Sequence, residues 1–308
     1  MSNQSHTTES RRGDIAAWLF DLDVRRVLLY GVLVSLVAFF LVPIETGLVT
    51  SLKTNSAVSR TVPFLPPGPD GFTTKYWSVA ISALGRGLVN SFLFAVPATV
   101  LSALLGSLAA YGMTQINWKG QAGILALFIA GIFIPYQAVL VPLSEFWNYI
   151  PVEEMLAPMW SLPFLTSEHS ALVKLIVTHV AYGIPICTLL FRGYYQGMST
   201  EMIESARLDG ASFGRIYLRI VLPLSTPMFA VTLIYQFTQI WNDLLFALIL
   251  VSSSSSSAAP VVLILSGLGE SLSGTVFPLR MAGALIAAIP TLLVYIAFGE
   301  EFAKGVAT

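Results

Sequence analysis

The sequence predicts an all-α membrane protein with six transmembrane helices and both termini in the cytoplasm. Hydrophobic residues make up 55% of the 308 residues and charged residues only 11%, whereas a soluble domain has about 25% charged residues. The mean hydropathy is +0.76. Six apolar runs reach the roughly 20 residues that a helix needs to cross a bilayer core. Of the 16 Lys and Arg residues, the larger share falls on the side of the N-terminus, which places that side inside.

The N-terminal segment, residues 1–26, is polar at its start, and we predict that it forms a cytoplasmic tail. The first apolar run begins near Val27. It is longer than the 7–15 apolar residues of a typical signal peptide, so we interpret it as a retained span. Residues 27–308 then form one six-span membrane domain.

The predicted spans are residues 27–49, 89–113, 121–145, 172–194, 223–251 and 279–299. Each run is continuously apolar rather than alternating, and only a helix satisfies its own backbone hydrogen bonds in lipid. Prolines inside the runs predict kinks. The strongest candidate for a functional break is Pro135-Tyr136-Gln137, where a polar side chain closely follows the proline.

The predicted outer connections are residues 50–88, 146–171 and 252–278. The first contains PFLPPGPDG, which predicts turns or extended chain rather than helix. The third begins with the serine run Ser252–Ser257. Low complexity of this kind predicts a flexible linker, with a recognition surface as the alternative.

Several classes of site are absent from the sequence. It has no phosphate-binding G-x-x-x-x-G-K-[ST], no HExxH and no G-x-S-x-G, so we predict that the chain is not an enzyme and binds no cofactor or metal. The single Cys187 excludes an internal disulfide. His179 stands alone in the fourth span, which predicts a packed helix contact. The net charge of −1 gives no sign of a nucleic-acid partner.

Polar residues within spans are costly and are therefore candidates for function. We predict a translocation path from Gln137, Gln236, Gln239, Asn242 and Asp243. Gln236 and Gln239 are three residues apart and share a helix face. For Asp243 a second interpretation stays open, in which it anchors the outer interface while Trp241 lies in the aromatic belt. We place Asn90-Ser91 at the start of the second span.

The segment from about residue 199 to 222 is polar although it lies between two apolar runs, and it predicts two short helices joined by a turn. Ser199 or Thr200 is suited to cap the first helix, and Gly210 is suited to end it. Ser212 is suited to cap the second. There an apolar face follows the i, i+3, i+4, i+7 pattern, formed by Phe213, Ile216, Tyr217 and Ile220.

Two interpretations of this segment compete. It could lie on lipid headgroups through its arginines, or it could dock onto a cytoplasmic protein. The small residues Ala206, Gly210 and Ala211 favour docking, because they allow close approach of a backbone. Glu204 and Asp209 also favour docking, because an anionic lipid surface would repel them.

The stretch ESARLDGASFGRIYLRIVLPLSTP resembles the EAA loop of permease subunits in binding-protein-dependent ABC importers. The matching residues are Glu204, Ala206, Asp209, Gly210, Ala211, Ile220, Leu222 and Pro223, and Ser205 replaces the middle alanine. Further segments, among them NSFLFAVPATVLSALLGSLAAYGM and WNDLLFALIL, look like the smaller permease of the carbohydrate-uptake group, the type seen in maltose importers. The resemblance covers most of residues 70–300.

This resemblance implies a type I permease fold in the cell membrane and the inward movement of a sugar, from mono- to oligosaccharide. It implies as partners a second permease, two ATP-binding subunits that hold ATP and Mg²⁺, an extracytoplasmic solute-binding protein and membrane lipid. Glu204 would pair with polar or basic groups of an ATPase groove, Gly210 would set the bend, and the face from Phe213 would hold the loop to its own span. The implied coupling residues are Glu204, Ser205, Ala206, Asp209, Gly210, Ala211, Phe213, Ile220 and Pro223.

Three alternatives remain at this point. A glycerophosphate or a polyol is a possible solute within the same group of importers. An ion-coupled secondary transporter is a more distant alternative, and it predicts deep acidic pairs and an inverted repeat, neither of which the sequence shows. A membrane anchor or receptor without transport is the third.

Overall fold

The computed structural model of the protein describes residues 24–116, 118–271 and 274–306. These residues are mostly helical, and they form two compact units that part between Thr74 and Lys75. The predicted tail lies mostly outside the described residues, and the first helix begins at Val24, close to the predicted boundary.

The first unit consists of one long apolar helix and a connection without long helices. Helix α1 is Val24–Ser51 and α2 is Asn55–Val58. A 3-10 turn, Pro69–Gly71, lies in the proline-rich stretch, which confirms that this stretch is turned. The ammonium of Lys53 is buried and donates to the carbonyls of Val62 and Pro63 at 2.7 and 3.1 Å. This buried cation is satisfied by backbone oxygens and holds the connection together.

The second unit contains the remaining α-helices, 3-10 turns at Ala157–Ser161 and Ser167–His169, and one short hairpin. In chain order the α-helices and strands are α3 Lys75–Gln115, α4 Gln121–Phe133, α5 Tyr136–Asn148, α6 Val152–Met155, α7 Ser170–Gln196, α8 Thr200–Leu208, α9 Phe213–Ile216, α10 Leu222–Leu224, α11 Thr226–Trp241, α12 Leu245–Leu250, α13 Val261–Gly267, β1 Glu270–Ser271, β2 Gly274–Thr275 and α14 Phe277–Val306. A π-turn, Tyr217–Val221, joins α9 to α10. Strands β1 and β2 pair antiparallel.

Within the described residues, four helices are long and apolar enough to cross a membrane. Two further pairs, α4 with α5 and the helices Phe213–Leu224 with α11, pass the same test only when each bent pair counts as one span. The six-span prediction agrees with the structure on that count. The bends are 103° and 76°, so these two spans are broken rather than gently kinked.

The first break lies at Pro135-Tyr136-Gln137, the site for which the sequence predicts one, and its functional role stays a prediction. Helix α4 ends at Phe133, Ile134 and Pro135 are extended, and α5 starts at Tyr136. Proline fits here because it has no N–H to donate. The fifth run differs from the prediction of one helix over 223–251, because α11 ends at Trp241 and α12 starts only at Leu245.

Helix α3 begins 14 residues before the predicted second span. A helix of 41 residues is about 60 Å long, about twice the bilayer core. In its early part Ala80 and Leu84 are fully buried in the core of the second unit, and this packing carries the helix beyond the apolar run. Asn90 and Ser91 therefore lie well inside a helix instead of starting one, contrary to the prediction.

The end of the serine run, Ser256 and Ser257, is packed, contrary to the prediction of a flexible linker, whereas residues 252–255 are exposed. Ser256 is buried, and its hydroxyl donates to the Glu168 carboxylate at 2.8 Å. The amide of Asn90 donates to the carbonyls of Ser257 and Ala259 at 2.7 and 3.0 Å. Asn90 and Glu168 belong to other parts of the chain. Their hydrogen bonds fix the conformation of the run, which its low-complexity sequence does not specify.

The buried core of the second unit has two clusters. The larger one surrounds Phe94, Leu175, Trp241 and Phe246, where α3, α7, α11 and α12 meet. The smaller one contains Tyr111 and Tyr195 together with residues of the EAA-like segment. The smaller cluster thus connects that segment to the transmembrane helices.

Candidate functional site

The EAA-like segment, residues 199–222, folds as predicted into two helices with a glycine turn. Gly210 has φ +78°, a left-handed conformation that glycine adopts at little cost. The N–H of Gly210 donates to Arg207 O at 3.0 Å, and that of Ala211 donates to Ala206 O at 2.9 Å. These bonds satisfy the last carbonyls of α8, as a helix C-terminus requires.

The predicted caps are present in part. Ser212 accepts a hydrogen bond from Arg215 N, so it caps α9 as expected. Ser199 is the N-cap residue of α8, but its side chain makes no capping hydrogen bond. Pro223 does not open the next span, because helical structure runs from Phe213 to Leu224 and the 76° bend follows before α11.

The inner face of the segment is anchored in the smaller buried cluster. Ile203, Ile216 and Tyr217 are all at most 5% exposed. The hydroxyl of Tyr111 on α3 donates to Phe213 O at 3.1 Å, and the ring centroids of the two residues are 4.2 Å apart. The apolar face therefore packs on α3 and α7 as well as on its own span, which is broader than the predicted attachment.

The outer face of the segment is exposed and chemically mixed. Glu204, Ser205, Asp209 and Gly210 are exposed, and Leu208 is 89% exposed. Ala206 and Ala211 are partly buried, as is Ile220. The segment thus presents acidic, small and apolar groups outward from an anchored base, a combination that fits a protein surface.

The predicted path residues do not form one group. Gln236 and Asp243 are buried in the protein, whereas Gln137, Gln239 and Asn242 are exposed. Gln236 and Gln239 therefore do not share an exposed face, although they are three residues apart. Gln236 packs at a helix crossing, where a Cβ added to Gly183 would lie 2.3 Å from its Nε2.

Asp243 takes part in a buried pair instead of anchoring the outer interface. Its Oδ2 lies 3.4 Å from His179 Nε2 and accepts a hydrogen bond from Phe246 N at 3.0 Å. His179 Nδ1 lies 2.8 Å from Leu175 O, which confirms the packed helix contact predicted for this histidine. Trp241 is also buried, and its Nε1 donates to Ala287 O at 3.0 Å, so it is not part of an aromatic belt.

The pair has a structural consequence for the fifth span. Asp243 lies at the break between α11 and α12, and its bond to Phe246 N satisfies a donor at the start of α12. The rings of Phe94 and Phe246 lie 5.6 and 5.3 Å from His179. The sequence alone does not pair His179 with Asp243, since nothing in their spacing joins residues of two different helices.

A second set of buried polar residues was not predicted from the sequence. Ser107 on α3 and Tyr195 on α7 are buried within hydrogen-bonding distance of each other, and Tyr111 contacts the EAA-like segment. The available signal was the presence of hydroxyl-bearing side chains inside apolar helices. No group of three or more His, Cys, Asp or Glu residues in the described ranges could hold a metal ion.

Comparison with known proteins gives consistent results. Residues 102–299 match the family described as "binding-protein-dependent transport system inner membrane component". The chain is 50% identical over 306 residues to the xylose/arabinose import permease protein XacI of Haloferax volcanii, covering 99% of both chains. It is 30% identical to the alpha-glucoside transport system permease protein AglG of Rhizobium meliloti, covering 79% of this chain and 61% of that one.

A solved structure supports the fold. A chain of a bacterial ABC transporter that imports the acidic polysaccharide alginate superposes with a TM-score of 0.66 at 19% identity. The match covers 92% of this chain and 98% of the other. At this identity the likeness shows the fold alone, which is that of an ABC importer permease.

Proposed function

The chain belongs to the family of inner membrane components of binding-protein-dependent transport systems, and from this premise we propose that it forms the path for a sugar of the pentose class. It is a multi-pass permease subunit of an ABC importer, and ATP is hydrolysed by a separate subunit. Membership of this family argues against the two alternative functions, a secondary transporter and a membrane anchor.

The pentose proposal rests on one relative. XacI is named for xylose and arabinose import and is 50% identical over 99% of this chain. The relatives at lower identity carry the names of other carbohydrates, such as alpha-glucoside and arabinooligosaccharides. All three names concern sugars, and they favour a sugar over a glycerophosphate or a polyol.

The EAA-like segment is the proposed docking site for an ATP-binding subunit. The observation that carries this proposal is its two-sidedness: an inner face held by Tyr111 and buried apolar residues, and an outer face with exposed Glu204, Leu208 and Asp209. Leu208 offers apolar area for burial, and the carboxylates offer charge for specificity. In this assignment Ser205, Ala206 and Ala211 allow close approach of the partner.

We propose an assembly of this chain with a second permease, two ATP-binding subunits and a solute-binding protein. The large exposed apolar surface of α1 and α3 is available to lipid and to the second permease. The segment at residues 199–222 would lie in the cytoplasm together with both termini.

A transport assay with the reconstituted complex tests which solute the importer carries. The full complex, purified through this chain, is placed in liposomes with ATP inside and the co-purifying binding protein outside. We expect uptake of labelled xylose or arabinose that requires both ATP and the binding protein. Uptake of glycerol 3-phosphate or of a polyol, with no pentose uptake, would contradict the pentose proposal and leave the importer function intact.

A narrower path proposal remains for the exposed polar residues. We propose that Gln137, Gln239 and Asn242 line the path and that Gln236 and Asp243 support it from inside. Cys187, the only cysteine of the chain, is fully buried, so it gives a low background for thiol labelling. A maleimide should label Asn242→Cys and Gln137→Cys but not the buried control Gln236→Cys, and pentose should slow the labelling.

If pentose leaves both labelling rates unchanged while the same complex transports it, these residues are not on the path. That outcome would leave the importer function untouched, because the uptake assay reports it separately.

A further inference from the structure

Ser107 connects three parts of the second unit through one buried hydroxyl. Its Oγ lies 2.6 Å from the Tyr195 hydroxyl on α7 and 2.9 Å from the Tyr217 hydroxyl. Ser107 is fully buried, and the two tyrosines are at most 5% exposed. We name these three residues the Ser107 cluster. A serine hydroxyl has one donor and two acceptor sites, so it can serve both tyrosines.

Tyr217 places this cluster at an irregular point of the chain. It is the first residue of the π-turn Tyr217–Val221. Such turns are rare within helices, but those that occur often lie at functional sites. After the π-turn the helix bends by 76° before α11. A movement that starts in the EAA-like segment therefore meets two irregular points if it travels along the chain.

A movement can also pass from the EAA-like segment directly to α3 through side-chain contacts, and these contacts involve no irregular backbone. Tyr111 lies one helical turn after Ser107, and its ring centroid is 4.2 Å from that of Phe213 and 5.2 Å from that of Tyr217. At the end of α3, Arg207 Nη2 donates to Gln115 O at 2.9 Å. The EAA-like segment is thus attached to α3 at several successive points, and the Ser107 cluster is the most deeply buried of them.

We propose that Ser107 is a positioning residue that transmits displacement of the EAA-like segment to α3 and α7. The hydrogen bond to Tyr217 holds the π-turn against α3, so that the turn moves with the helix instead of absorbing the displacement. The bond to Tyr195 carries the same movement to α7. This inference rests on the proposed docking of an ATP-binding subunit to the segment.

The test is the stoichiometry of transport in the reconstituted complex. For Ser107→Ala we expect normal assembly and continued ATP hydrolysis, with about tenfold more ATP consumed per sugar transported. Tenfold corresponds to about 1.4 kcal/mol of coupling, within the range for losing one or two hydrogen bonds. A merely structural loss would lower the amount of complex but would leave this ratio unchanged.

Ser102→Ala is the matched control. Ser102 is also a fully buried serine of α3, but its hydroxyl donates to Ala98 O within the same helix at 2.7 Å. We expect its ATP-to-sugar ratio to equal that of the unchanged protein. Tyr217→Phe should also raise the ratio, and the double variant should be no worse than Ser107→Ala alone, because Ser107→Ala already removes the bond to Tyr217.

A normal ratio in both Ser107→Ala and Tyr217→Phe would overturn the proposal. If Ser107→Ala fails to assemble, Tyr217→Phe alone decides. Failure of the docking proposal is a different result, since the unchanged chain would then not bind the ATP-binding subunit through residues 199–222 at all.

Discussion

At the scale of single residues, glycines serve two different needs in this protein. Gly210 has a left-handed backbone, and a Cβ added to it would meet nothing within 4 Å, so the constraint there is conformational. At Gly106 the backbone is ordinary, but a Cβ would lie 2.4 Å from the Cβ of Cys187. The constraint there is close packing of α3 on α7. Only the first kind follows from turn chemistry in the sequence.

Gly210→Pro should abolish uptake while the chain still inserts into the membrane. Proline fixes φ near −65°, far from the +78° of Gly210, and it removes the N–H that donates to Arg207 O. Gly210→Asn should retain most uptake, since asparagine tolerates the left-handed region. Gly214→Ala, in the first turn of α9 where a Cβ meets open space, is the control. Sugar uptake per inserted complex measures the effect, and normal uptake by Gly210→Pro would refute a role for this turn.

At the scale of elements, apolar runs locate the spans but not the limits of the helices. The composition of a run reports where lipid is the solvent, so the six predicted runs have counterparts in the structure. Where a helix continues beyond its apolar run, as α3 does before residue 89, its order comes from packing against elements distant in sequence. The start of α3 and the break after Trp241 therefore could not be predicted from local pattern.

The serine run is a second case in which contacts distant in sequence decide the structure. Its composition predicts a flexible linker, yet Asn90 and Glu168 hold it through side-chain hydrogen bonds. Both partners are more than 80 residues away in sequence. In the EAA-like segment, in contrast, the two helices, the Ser212 cap and the glycine turn were predictable because their signals are local.

Asn90→Asp should loosen the serine run from α3. The substitution keeps the shape of the side chain but replaces the amide donor with an acceptor that faces the carbonyls of Ser257 and Ala259. An unsatisfied buried polar group costs about 1–3 kcal/mol, and a charged one costs more. We expect a lower unfolding temperature of the detergent-solubilised protein and faster hydrogen exchange of residues 253–261. Asn148→Asp, at an exposed position, is the control, and equal exchange in both variants would show that Asn90 does not hold the run.

At the scale of the whole molecule, both compact units expose apolar side chains over much of their helices. In α1 the apolar residues are exposed along most of the helix, as expected for a surface covered by lipid or by another subunit. The EAA-like segment differs, because its exposed residues mix carboxylates with Leu208. The apolar surface of α1 therefore suits lipid, whereas the mixed surface of the EAA-like segment suits a protein partner in water.

The ATP-binding subunit should therefore distinguish between exposed leucines on the two predicted sides of the membrane. Leu208 is 89% exposed in the EAA-like segment, and Leu162 is 51% exposed in the predicted outer connection. Burial of a leucine contributes about 1.5–3 kcal/mol, so Leu208→Ser should weaken binding of the ATP-binding subunit roughly 10- to 100-fold. Leu162→Ser should leave this binding unchanged, because in the proposed assembly the subunit approaches only from the cytoplasm. Binding of the purified subunit to the permease in nanodiscs measures both effects, and equal weakening by the two variants, or weakening by Leu162→Ser alone, would contradict the predicted orientation.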